Sequence, residues 1–335
     1  MTRALPWNAP LNRWAYKIEL DQHGSRAFLF HLTNESMMAS ILLCEDSPTH
    51  TVLMQTLLED DAHEVRCAQD GREAMASIAE HMPELVVTDL RMPNMNGLEL
   101  VQALVSEQSQ LPTVVVTARG SEDLAVDALA LGAVNFVPKN SLNMLLNPVV
   151  RQTIAYSGSD RFSQPLSGQL RSPEFYFKLG NYIESINPAT QIVIQALAAS
   201  GKLNPTNRIR IGMAVASALF NAICYGNLEL SDEDPIVAKV IAGDTDSQAE
   251  LMKRAASDRY RKRSVHLKVS GGDKDTRISV SHDGNGRLAR FNPAPGTPES
   301  FELEQCRGMM LITSFMDEVM FNSGFSEVVM VKHHA

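Results

Sequence analysis

The first half of the sequence predicts an α/β fold, a doubly wound parallel five-stranded sheet covered by helices on both faces. Three observations predict it: short apolar runs alternate with helical segments, the runs have the length of buried strands, and polar groups directly follow several of them. In chain order the predicted elements are strand Ile41–Cys44, helix Pro48–Asp60, strand Glu64–Ala68, helix Gly71–His81, strand Leu85–Thr88, helix Gly97–Glu107, strand Thr113–Val116, helix Asp123–Leu131 and strand Val134–Val137.

Acidic, hydroxyl and amine side chains stand directly after four of these strands. Glu45 and Asp46 follow the first strand, Asp89 follows the third, Thr117 the fourth and Lys139 the fifth. In an open parallel sheet, ligands bind beyond the carboxyl ends of the strands, where these groups would meet. Packed carboxylates repel one another until a divalent cation neutralises them. The set therefore predicts a pocket that holds Mg²⁺ and accepts a phosphoryl group.

In residue types and in order, this region, residues 39–156, resembles the receiver domain of two-component response regulators. The resemblance implies that Asp89 is the phosphoacceptor, a carboxylate nucleophile that forms an acyl phosphate. Phosphorylation adds about two negative charges. Lys139 would pair with the phosphoryl oxygens, and Thr117 would move to donate a hydrogen bond to them. Phe136 would be the aromatic side chain whose rotation reports the switch. Mg²⁺, the implied cofactor, would be held by Glu45, Asp46, Asp89 and the backbone carbonyl of Arg91.

Two features of this region call for comment. Each acid taken singly is also compatible with a solvated strand end, although the ordered set of five argues against that interpretation. The family often has Pro directly after the lysine, whereas this chain has Asn140. The last helix is therefore expected to begin differently, with Asn147 as its N-cap, Pro148 as its first residue and Tyr156 near its end.

Residues 157–173 are rich in Ser, Gly and Pro and are predicted to be a linker. No His lies between His81 and His266, which argues against a hybrid histidine kinase with a phosphorylatable helical hairpin. Beyond the linker, residues 174–335 begin with helical patterns and end with strands, which predicts an α+β two-layer sandwich. The predicted helices are Pro188–Ala199, Ile209–Tyr225 and Met309–Met316, and the predicted strands are Val265–Ser270, Thr276–Ser281 and Glu327–Lys332.

Three local motifs follow one another in this second domain: Ala214–Asn227, His282–Gly286 and Cys306–Ile312. In that order they resemble the N box and the two glycine boxes of the GHKL ATPase superfamily, closest to its anti-sigma-factor serine kinase branch. The resemblance implies that Asn221 holds Mg²⁺ for the nucleotide phosphates and that the glycines let backbone approach the nucleotide closely. The implied nucleotide-binding residues are Asn221, Asp283, Gly284, Gly286 and Gly308.

Four departures fall on functional positions of that family. Ser217 stands where kinases of this branch carry the Glu that activates the substrate serine, so no general base is evident. His282 replaces the Asp that recognises adenine, Cys306 replaces a glycine and Tyr225 replaces a His. These changes predict weakened or lost ATP chemistry and argue against ATP with Mg²⁺ as a cofactor of this domain. The glycines alone are also compatible with hairpin turns.

The combined expectation is a response regulator of a two-component phosphorelay. Phosphorylation of Asp89 would control a degenerate anti-sigma-factor-like domain that binds protein and does not act as a kinase. The expected partners are an upstream histidine kinase and, as output, a sigma factor or an anti-sigma-factor antagonist, and a homodimer is left open. The alternative is an active serine/threonine protein kinase under receiver control, which phosphorylates an anti-sigma-factor antagonist.

The length, composition and net charge of the chain limit which functions can be expected. The chain has 335 residues, of which 44% are hydrophobic, and a net charge of -9. This charge gives no reason to expect nucleic acid or an anionic membrane as a partner. No apolar run approaches the length of a membrane span, and a cytoplasmic location is expected. Residues 1–38 lack strand or helical periodicity and are predicted to be an N-terminal extension, for which disorder is one interpretation.

Overall fold

The computed structural model describes residues 17–20, 26–29, 38–107, 111–118, 121–158, 168–231, 234–288 and 304–334. Residues 1–37 are a unit of their own. In it, strands β1 (Lys17–Leu20) and β2 (Arg26–Leu29) pair antiparallel. The expectation that this segment lacks strand periodicity is wrong for these two stretches, because they are so short that a period of two hardly registers in the sequence.

A parallel five-stranded sheet forms the first part of the second unit, residues 38–335. Its strands are β3 (Ser40–Cys44), β4 (Glu64–Ala68), β5 (Leu85–Asp89), β6 (Thr113–Thr117) and β7 (Asn135–Pro138). They lie in the order β4-β3-β5-β6-β7. Strands β5, β6 and β7 are buried throughout, which explains why their sequences are runs and not alternations. The predicted parallel five-stranded sheet is confirmed.

Five helices connect or follow these strands. They are α1 (Pro48–Asp60), α2 (Gly71–Glu80), α3 (Gly97–Ser106), α4 (Glu122–Leu131) and α5 (Leu142–Gly158). The first four nearly match the predicted bounds. Asp70 caps α2 by accepting hydrogen bonds from the backbone N–H groups of Arg72 and Glu73. Asn96 and Glu99 form a capping box that fixes the start of α3.

The fifth helix begins earlier than predicted. It follows a 3₁₀ turn over Lys139–Ser141 and starts at Leu142, not at Pro148. Asn147 does not cap the helix; its side-chain amide donates to a backbone carbonyl of α1. Pro148 lies inside the helix. The helix starts earlier because the turns before Pro148 bury leucines against the sheet. This burial outweighs the one hydrogen bond that proline cannot donate.

The second domain is an antiparallel sheet with helices. Its strands are β8 (Glu174–Leu179), β9 (Val265–Gly271), β10 (Asp275–His282), β11 (Glu318–Phe321) and β12 (Glu327–His333), in the order β11-β12-β10-β9-β8. Its helices are α6 (Ile186–Ser200), α7 (Pro205–Asn221), α8 (Pro235–Ile241), α9 (Thr245–Ala256) and α10 (Glu304–Phe315), and a π-helical turn, Ala222–Asn227, extends α7.

The sequence prediction missed β8, β11, α8 and α9. β8 and β11 are the edge strands of the sheet, and their residues are exposed or half-buried, so neither has the fully buried run that marks the central strands. The predicted linker, residues 157–173, overlaps the end of α5, which continues to Gly158. Residues 159–167 of this linker lie outside the described residues.

Among the described residues, one continuous helical stretch, Pro205–Asn227, is long and apolar enough to span a membrane. Arg208 and Arg210 lie in its first turns, so the stretch is not one continuous apolar run in the sequence. Most of the stretch is buried inside the fold, and α7 packs against α6 and α10. It is therefore the core helix of the second domain.

One cluster of buried apolar side chains continues from the parallel sheet into the second domain. It contains Val137 of β7 and Val149 of α5 together with Ile211 of α7 and Met309 of α10. Helix α4 contacts α10, and α5 contacts α7 and α8. The second domain thus packs directly on the face that α4, β7 and α5 form.

Candidate functional site

The acids predicted at the strand ends meet at one edge of the parallel sheet. β3 ends directly before Glu45 and Asp46, and β5 ends at Asp89. These strands are neighbours in the sheet, with Cys44 beside Thr88. Ligand oxygens of the three acids lie within 4.8 Å of one another. Glu45 and Asp89 are buried, whereas Asp46 is exposed.

This set of acids suits a divalent cation. Carboxylate oxygens are the hard ligands that Mg²⁺ prefers, and a cation relieves the repulsion between carboxylates that are buried together. Arg91, whose backbone carbonyl is the fourth predicted ligand, lies in the loop that follows β5. The residues present therefore fit Mg²⁺, the ion that such an acidic pocket binds in receiver domains.

Lys139 connects the two buried acids. It begins the 3₁₀ turn after β7, and its Nζ lies 2.8 Å from Glu45 Oε2 and 3.2 Å from Asp89 Oδ2. Asn140, which stands where the family often has Pro, is part of the same turn. The chain therefore reaches α5 through a tight helical turn at this point, and the lysine still enters the acidic pocket.

Burial and neighbouring charges shift two ionisation equilibria in this pocket. Burial raises the pKa of Asp89, the charge of Lys139 lowers it and the charge of Glu45 raises it, with a net rise. Burial lowers the pKa of Lys139, but the hydrogen bond to Glu45 and the charge of Asp89 outweigh burial, and its pKa is raised. Lys139 is thus held as an ammonium, and ionised Asp89 gains from further positive charge in the pocket.

The two predicted switch residues lie on β6 and β7, the two strands that follow β5 in the sheet. Thr117 is the last residue of β6 and is buried; in the neighbouring strand β5, Asp89 lies beside Val116. Phe136 lies on β7, beside Val115 of β6, and is fully buried. Thr117 and Phe136 therefore lie on two adjacent strands, and Lys139 begins the turn directly after the second of them.

Gly97 shapes the loop between β5 and α3. A Cβ at this position would lie 2.1 Å from the carbonyl oxygen of Asp89, so only glycine fits. The backbone N–H of Gly97 also donates to the carbonyl of Leu90. The loop is in this way held closely against the end of β5, and it carries Arg91 beside the pocket.

Sequence reasoning missed two contributors to this pocket. His50 lies on α1, and its Nδ1 is 3.3 Å from Lys139 Nζ and 3.5 Å from Glu45 Oε1. Thr51, the next residue, donates its hydroxyl to the backbone carbonyl of Glu45. Both residues lie in the first turn of the helix that follows Glu45 and Asp46. Because that turn begins at the same edge of the sheet, their position in the sequence could have indicated that they reach the pocket.

In the second domain, the structure brings Asn221 close to Gly308. A Cβ on Gly308 would lie 3.6 Å from Asn221 Oδ1 and 3.3 Å from Ser217 Cβ. Asn221 is buried, and its side-chain amide donates to the carbonyl of Leu288. Gly308 therefore allows α10 to approach α7 closely. The side-chain NH2 of Asn221 is used inside the protein, whereas its buried Oδ1 has no hydrogen-bond partner among the described residues.

The first glycine box packs against the π-helical turn. A Cβ on Gly284 would lie 2.1 Å from the carbonyl oxygen of Gly226, and one on Gly286 would lie 1.7 Å from that of Tyr225. Asp283 points to β9 and its flank: its carboxylate accepts from the backbone N–H of Ser264 at 2.9 Å and lies 3.2 Å from a ring nitrogen of the β9 histidine. These glycines contact backbone of the same chain.

Comparison with known proteins assigns about a third of the chain to a family. Residues 41–149 match the response regulator receiver domain family. The virulence transcriptional regulatory protein PhoP of Salmonella typhimurium is 34% identical over 102 residues, 30% of this chain and 46% of that protein. Response regulator MprA of Mycolicibacterium vanbaalenii is 38% identical over 103 residues, 31% of this chain and 45% of that protein. The receiver domain of NtrX from Brucella abortus is 32% identical, with a TM-score of 0.29, over 30% of this chain and 84% of that chain.

The parallel sheet with its acidic edge is thus the part of the chain that the family match covers. More particularly, residues 41–149 belong to the response regulator receiver domain family. The chain spans less than half the length of the two curated relatives. The family match ends at residue 149 and gives no assignment to the second domain.

Proposed function

We propose that the chain is a two-component response regulator in which Asp89 accepts a phosphoryl group from an upstream histidine kinase. The observation that carries this proposal is the pocket at the sheet edge. Oxygens of Glu45, Asp46 and Asp89 lie within 4.8 Å of one another, and Lys139 contacts both buried acids. The family match over residues 41–149 supports the same function.

The proposed reaction is one displacement at phosphorus. A carboxylate oxygen of Asp89 forms the new bond to phosphorus, while the bond between phosphorus and the donor breaks and the donor keeps its electron pair. From phosphohistidine the leaving imidazole takes up one proton, and from acetyl phosphate the leaving group is acetate. When bound by Glu45, Asp46, Asp89 and the carbonyl of Arg91, Mg²⁺ supplies positive charge against the phosphoryl oxygens.

Three side chains respond to the new charge in this proposal. The ammonium of Lys139, which contacts Asp89 at 3.2 Å before the reaction, binds phosphoryl oxygens after it. The hydroxyl of Thr117 at the end of β6 donates to the same group. Phe136 follows the movement of Thr117, because the two residues lie on paired strands. The chemical event at Asp89 is in this way passed to the face around β7.

For the second domain we propose an anti-sigma-factor-like fold of GHKL type that binds protein and does not act as a kinase. Two observations speak against kinase activity. Gly284 and Gly286 approach the backbone of their own chain, and Ser217 offers no carboxylate as general base. The proposed partner is a sigma factor or an anti-sigma-factor antagonist, and the proposed location is the cytoplasm.

Two other partners receive less support. One relative is named as a transcriptional regulatory protein, but the family match ends at residue 149 and the net charge is -9, so no nucleic acid is proposed. A homodimer through the α4–β7–α5 face is also not proposed, because helices of the second domain pack on that face.

A second candidate function is a receiver-controlled serine/threonine protein kinase acting on an anti-sigma-factor antagonist. One observation favours it: the N box and the second glycine box lie side by side, with Asn221 Oδ1 3.6 Å from the Cβ position of Gly308. An ATP site of this family would need that proximity. The loss of a carboxylate at Ser217 speaks against transfer to a serine.

Labelled acetyl phosphate tests the first function. With Mg²⁺, the full chain should take up the label, chelation of Mg²⁺ should prevent uptake, and Asp89→Asn should lower it at least about 100-fold, because the nucleophile is gone. Asp60→Asn, an exposed carboxylate at the end of α1, is the matched control and should label as the wild type does. Full labelling of Asp89→Asn would exclude Asp89 as the acceptor.

Labelled ATP separates the two candidate outputs. Saturable binding of ATP and Mg²⁺ by the full chain, retained in Asp89→Asn, would favour the kinase. Absence of nucleotide binding in a chain that still accepts phosphate from acetyl phosphate would favour the protein-binding module. Asn221→Asp, which changes the residue implied in Mg²⁺ binding, should alter ATP binding only if the kinase reading of the domain is correct.

A further inference from the structure

Asn135 joins the receiver to the second domain through one fully buried side chain. Its Oδ1 accepts a hydrogen bond from Arg307 Nη1 at 3.1 Å and another from the backbone N–H of Phe136 at 2.9 Å. Its Nδ2 lies 3.7 Å from the sulfur of Met213 on α7. Because a buried amide must keep its partners, this one side chain fixes β7 relative to α7 and α10.

Arg307 approaches the switch aromatic as well. Its guanidinium carbon lies 5.9 Å from the centre of the Phe136 ring, at the outer limit of a cation–π contact. Arg307 is 6% exposed and Phe136 is fully buried. A residue of the second glycine box therefore touches the receiver strand at the position where phosphorylation is expected to be reported.

The same strand leads back to the phosphorylation pocket. Phe136 lies on β7, and the chain continues from Pro138 directly into Lys139, whose ammonium contacts Asp89. Pro138 also lies beside Thr117 in the sheet. A change in what Lys139 and Thr117 bind thus acts on the short strand that carries both Asn135 and Phe136.

Arg307 lies on a helix that contacts both domains. α10 packs along α4 of the receiver and along α7 of the second domain. The residue after Arg307 is Gly308, which gives α10 its close approach to Ser217 and Asn221. Movement of Arg307 would therefore change the position of α10 against α7, the helix pair that carries two of the three motifs of the second domain.

We propose that Arg307 is a positioning residue that ties α10 to the unphosphorylated receiver through Asn135 and Phe136, and that phosphorylation of Asp89 releases this contact. The inference rests on the proposed function, because it needs a phosphoryl group on Asp89. A contact made in only one of two states stabilises that state, and the coupling is reciprocal. Loss of the contact therefore frees α10 and also favours phosphorylation.

The test compares amide hydrogen exchange of α10 in the full chain, with and without acetyl phosphate and Mg²⁺, in four proteins. They are the wild type, Arg307→Ala, Arg307→Lys and Arg277→Ala. Arg277, on β10, is exposed and serves as the matched control. The lysine variant keeps the positive charge and one donor, and it decides the question if the alanine variant does not fold.

In the wild type, phosphorylation should raise the exchange rate of α10 by a factor of about 5 to 150, the range of typical allosteric couplings. Arg307→Ala should show the raised rate without acetyl phosphate, respond little to it, and reach a higher fraction of phosphorylated Asp89 at equilibrium with the phosphodonor than the wild type. Arg307→Lys should fall between the two, and Arg277→Ala should behave as the wild type. A purely structural role of Arg307 would not change this equilibrium fraction.

Two results would overturn the inference. The first is that the wild type is labelled on Asp89 but its α10 exchange does not change, or that Arg307→Ala and Arg307→Lys respond as the wild type does. In that case Arg307 does not couple the domains, and the proposed phosphorylation stands. If the wild type takes up no label at all, the proposed function fails and the coupling fails with it. The label on Asp89 distinguishes these two failures.

Discussion

Lys139 holds together two buried carboxylates that would otherwise repel each other. Its ammonium is 2.8 Å from an oxygen of Glu45 and 3.2 Å from one of Asp89, and its side chain is 15% exposed. A charge pair of this kind contributes less than a fully buried one because solvent screens part of it, yet losing one partner leaves like charges unbalanced. The lysine and a bound Mg²⁺ therefore both supply positive charge to the same pocket.

Replacing this lysine should make the protein depend on Mg²⁺. Lys139→Met should lower the free energy of unfolding by about 2 kcal/mol in the presence of a chelator, because Glu45 and Asp89 lose their common partner. Mg²⁺ should stabilise the variant more than the wild type, since the cation no longer competes with the ammonium. Urea unfolding with and without Mg²⁺ measures both effects.

Lys178→Met is the control for this prediction, because Lys178 is exposed on β8. It should change the free energy of unfolding by less than about 0.5 kcal/mol in either condition. Equal stability of wild type and Lys139→Met in the chelator would show that the ammonium does not stabilise the pocket.

At the scale of residues, the sequence predicted what depends on strand ends and missed what depends on packing between elements. Glu45, Asp89 and Lys139 could be found because parallel strands bring their carboxyl ends to one edge. The contact between Arg307 and Asn135 joins residues far apart in the chain and has no local pattern. A buried arginine in a glycine-rich motif gives no signal of its partner until the domains are packed.

Asp317 holds the last two strands of the second domain together. Its carboxylate accepts from Lys332 Nζ at 2.8 Å and from the backbone N–H of His333 at 2.6 Å. Partial burial raises the pKa of Asp317, but these hydrogen bonds outweigh burial and lower it below its ordinary value of 3.8. Since the folded state favours the ionised form, Asp317 stabilises the fold above that ordinary value, and this stabilisation is lost as the pH falls through the lowered one.

Asp317→Asn should therefore destabilise the protein at neutral pH and have less effect in acid. We expect a loss of about 1 kcal/mol at pH near 7, reduced from that of a buried charged hydrogen bond because the side chain is partly exposed. The difference from the wild type should shrink as the pH falls from 3.8 through the lowered pKa of Asp317, below which the wild-type carboxyl is also neutral. Urea unfolding over a pH series measures this difference.

The matched control is Asp258→Asn, whose side chain is 94% exposed and pairs with Arg261 on the surface. Its effect should stay small at every pH, as for most surface ion pairs. A difference between Asp317→Asn and the wild type that stays constant down to low pH would contradict an electrostatic role for Asp317.

At the scale of elements, prediction succeeded where a buried run or a cap marks the boundary. Helices α2 and α3 begin where Asp70 and Asn96 cap them, and the central strands β5 and β6 are buried throughout. It failed for the edge strands β8 and β11, whose inward faces are only partly buried. It also placed the start of α5 at Pro148, because proline favours the first position of a helix. In the structure, leucines before Pro148 pack against the sheet, and this packing outweighs the local preference of proline.

Tyr156 anchors the end of the receiver in the second domain. It lies on α5, is fully buried, and donates its hydroxyl to Asn187 on α6 at 3.1 Å. Its ring also limits the space beside Gly212 on α7, and burial raises its pKa to about 12. Together with the continuous apolar cluster, this side chain makes the receiver and the second domain one packed body, so we expect them to unfold together.

Truncation of this anchor should separate the two domains. Tyr156→Ala should lower the free energy of unfolding by about 3 kcal/mol and split the transition of residues 38–335 into two, because a large buried side chain is lost at the junction. Tyr156→Phe, which loses only the hydroxyl and its hydrogen bonds with Asn187 and Gln152, should cost about 1 kcal/mol and keep one transition. Calorimetry measures the number of transitions.

The exposed Tyr182 provides the control. Tyr182→Ala should leave a single transition with nearly wild-type stability. Two separate transitions already in the wild type would contradict the view that the two domains unfold as one body.

The central claim is that phosphoryl chemistry in this protein takes place on Asp89, at the edge of the parallel sheet. Borohydride reduction of the full chain after treatment with acetyl phosphate and Mg²⁺ tests it most directly, because reduction converts an aspartyl phosphate to homoserine, which peptide mass spectrometry locates. We predict homoserine at position 89, formed only when Mg²⁺ is present. Homoserine at another aspartate, or none in any sample, would contradict the claim.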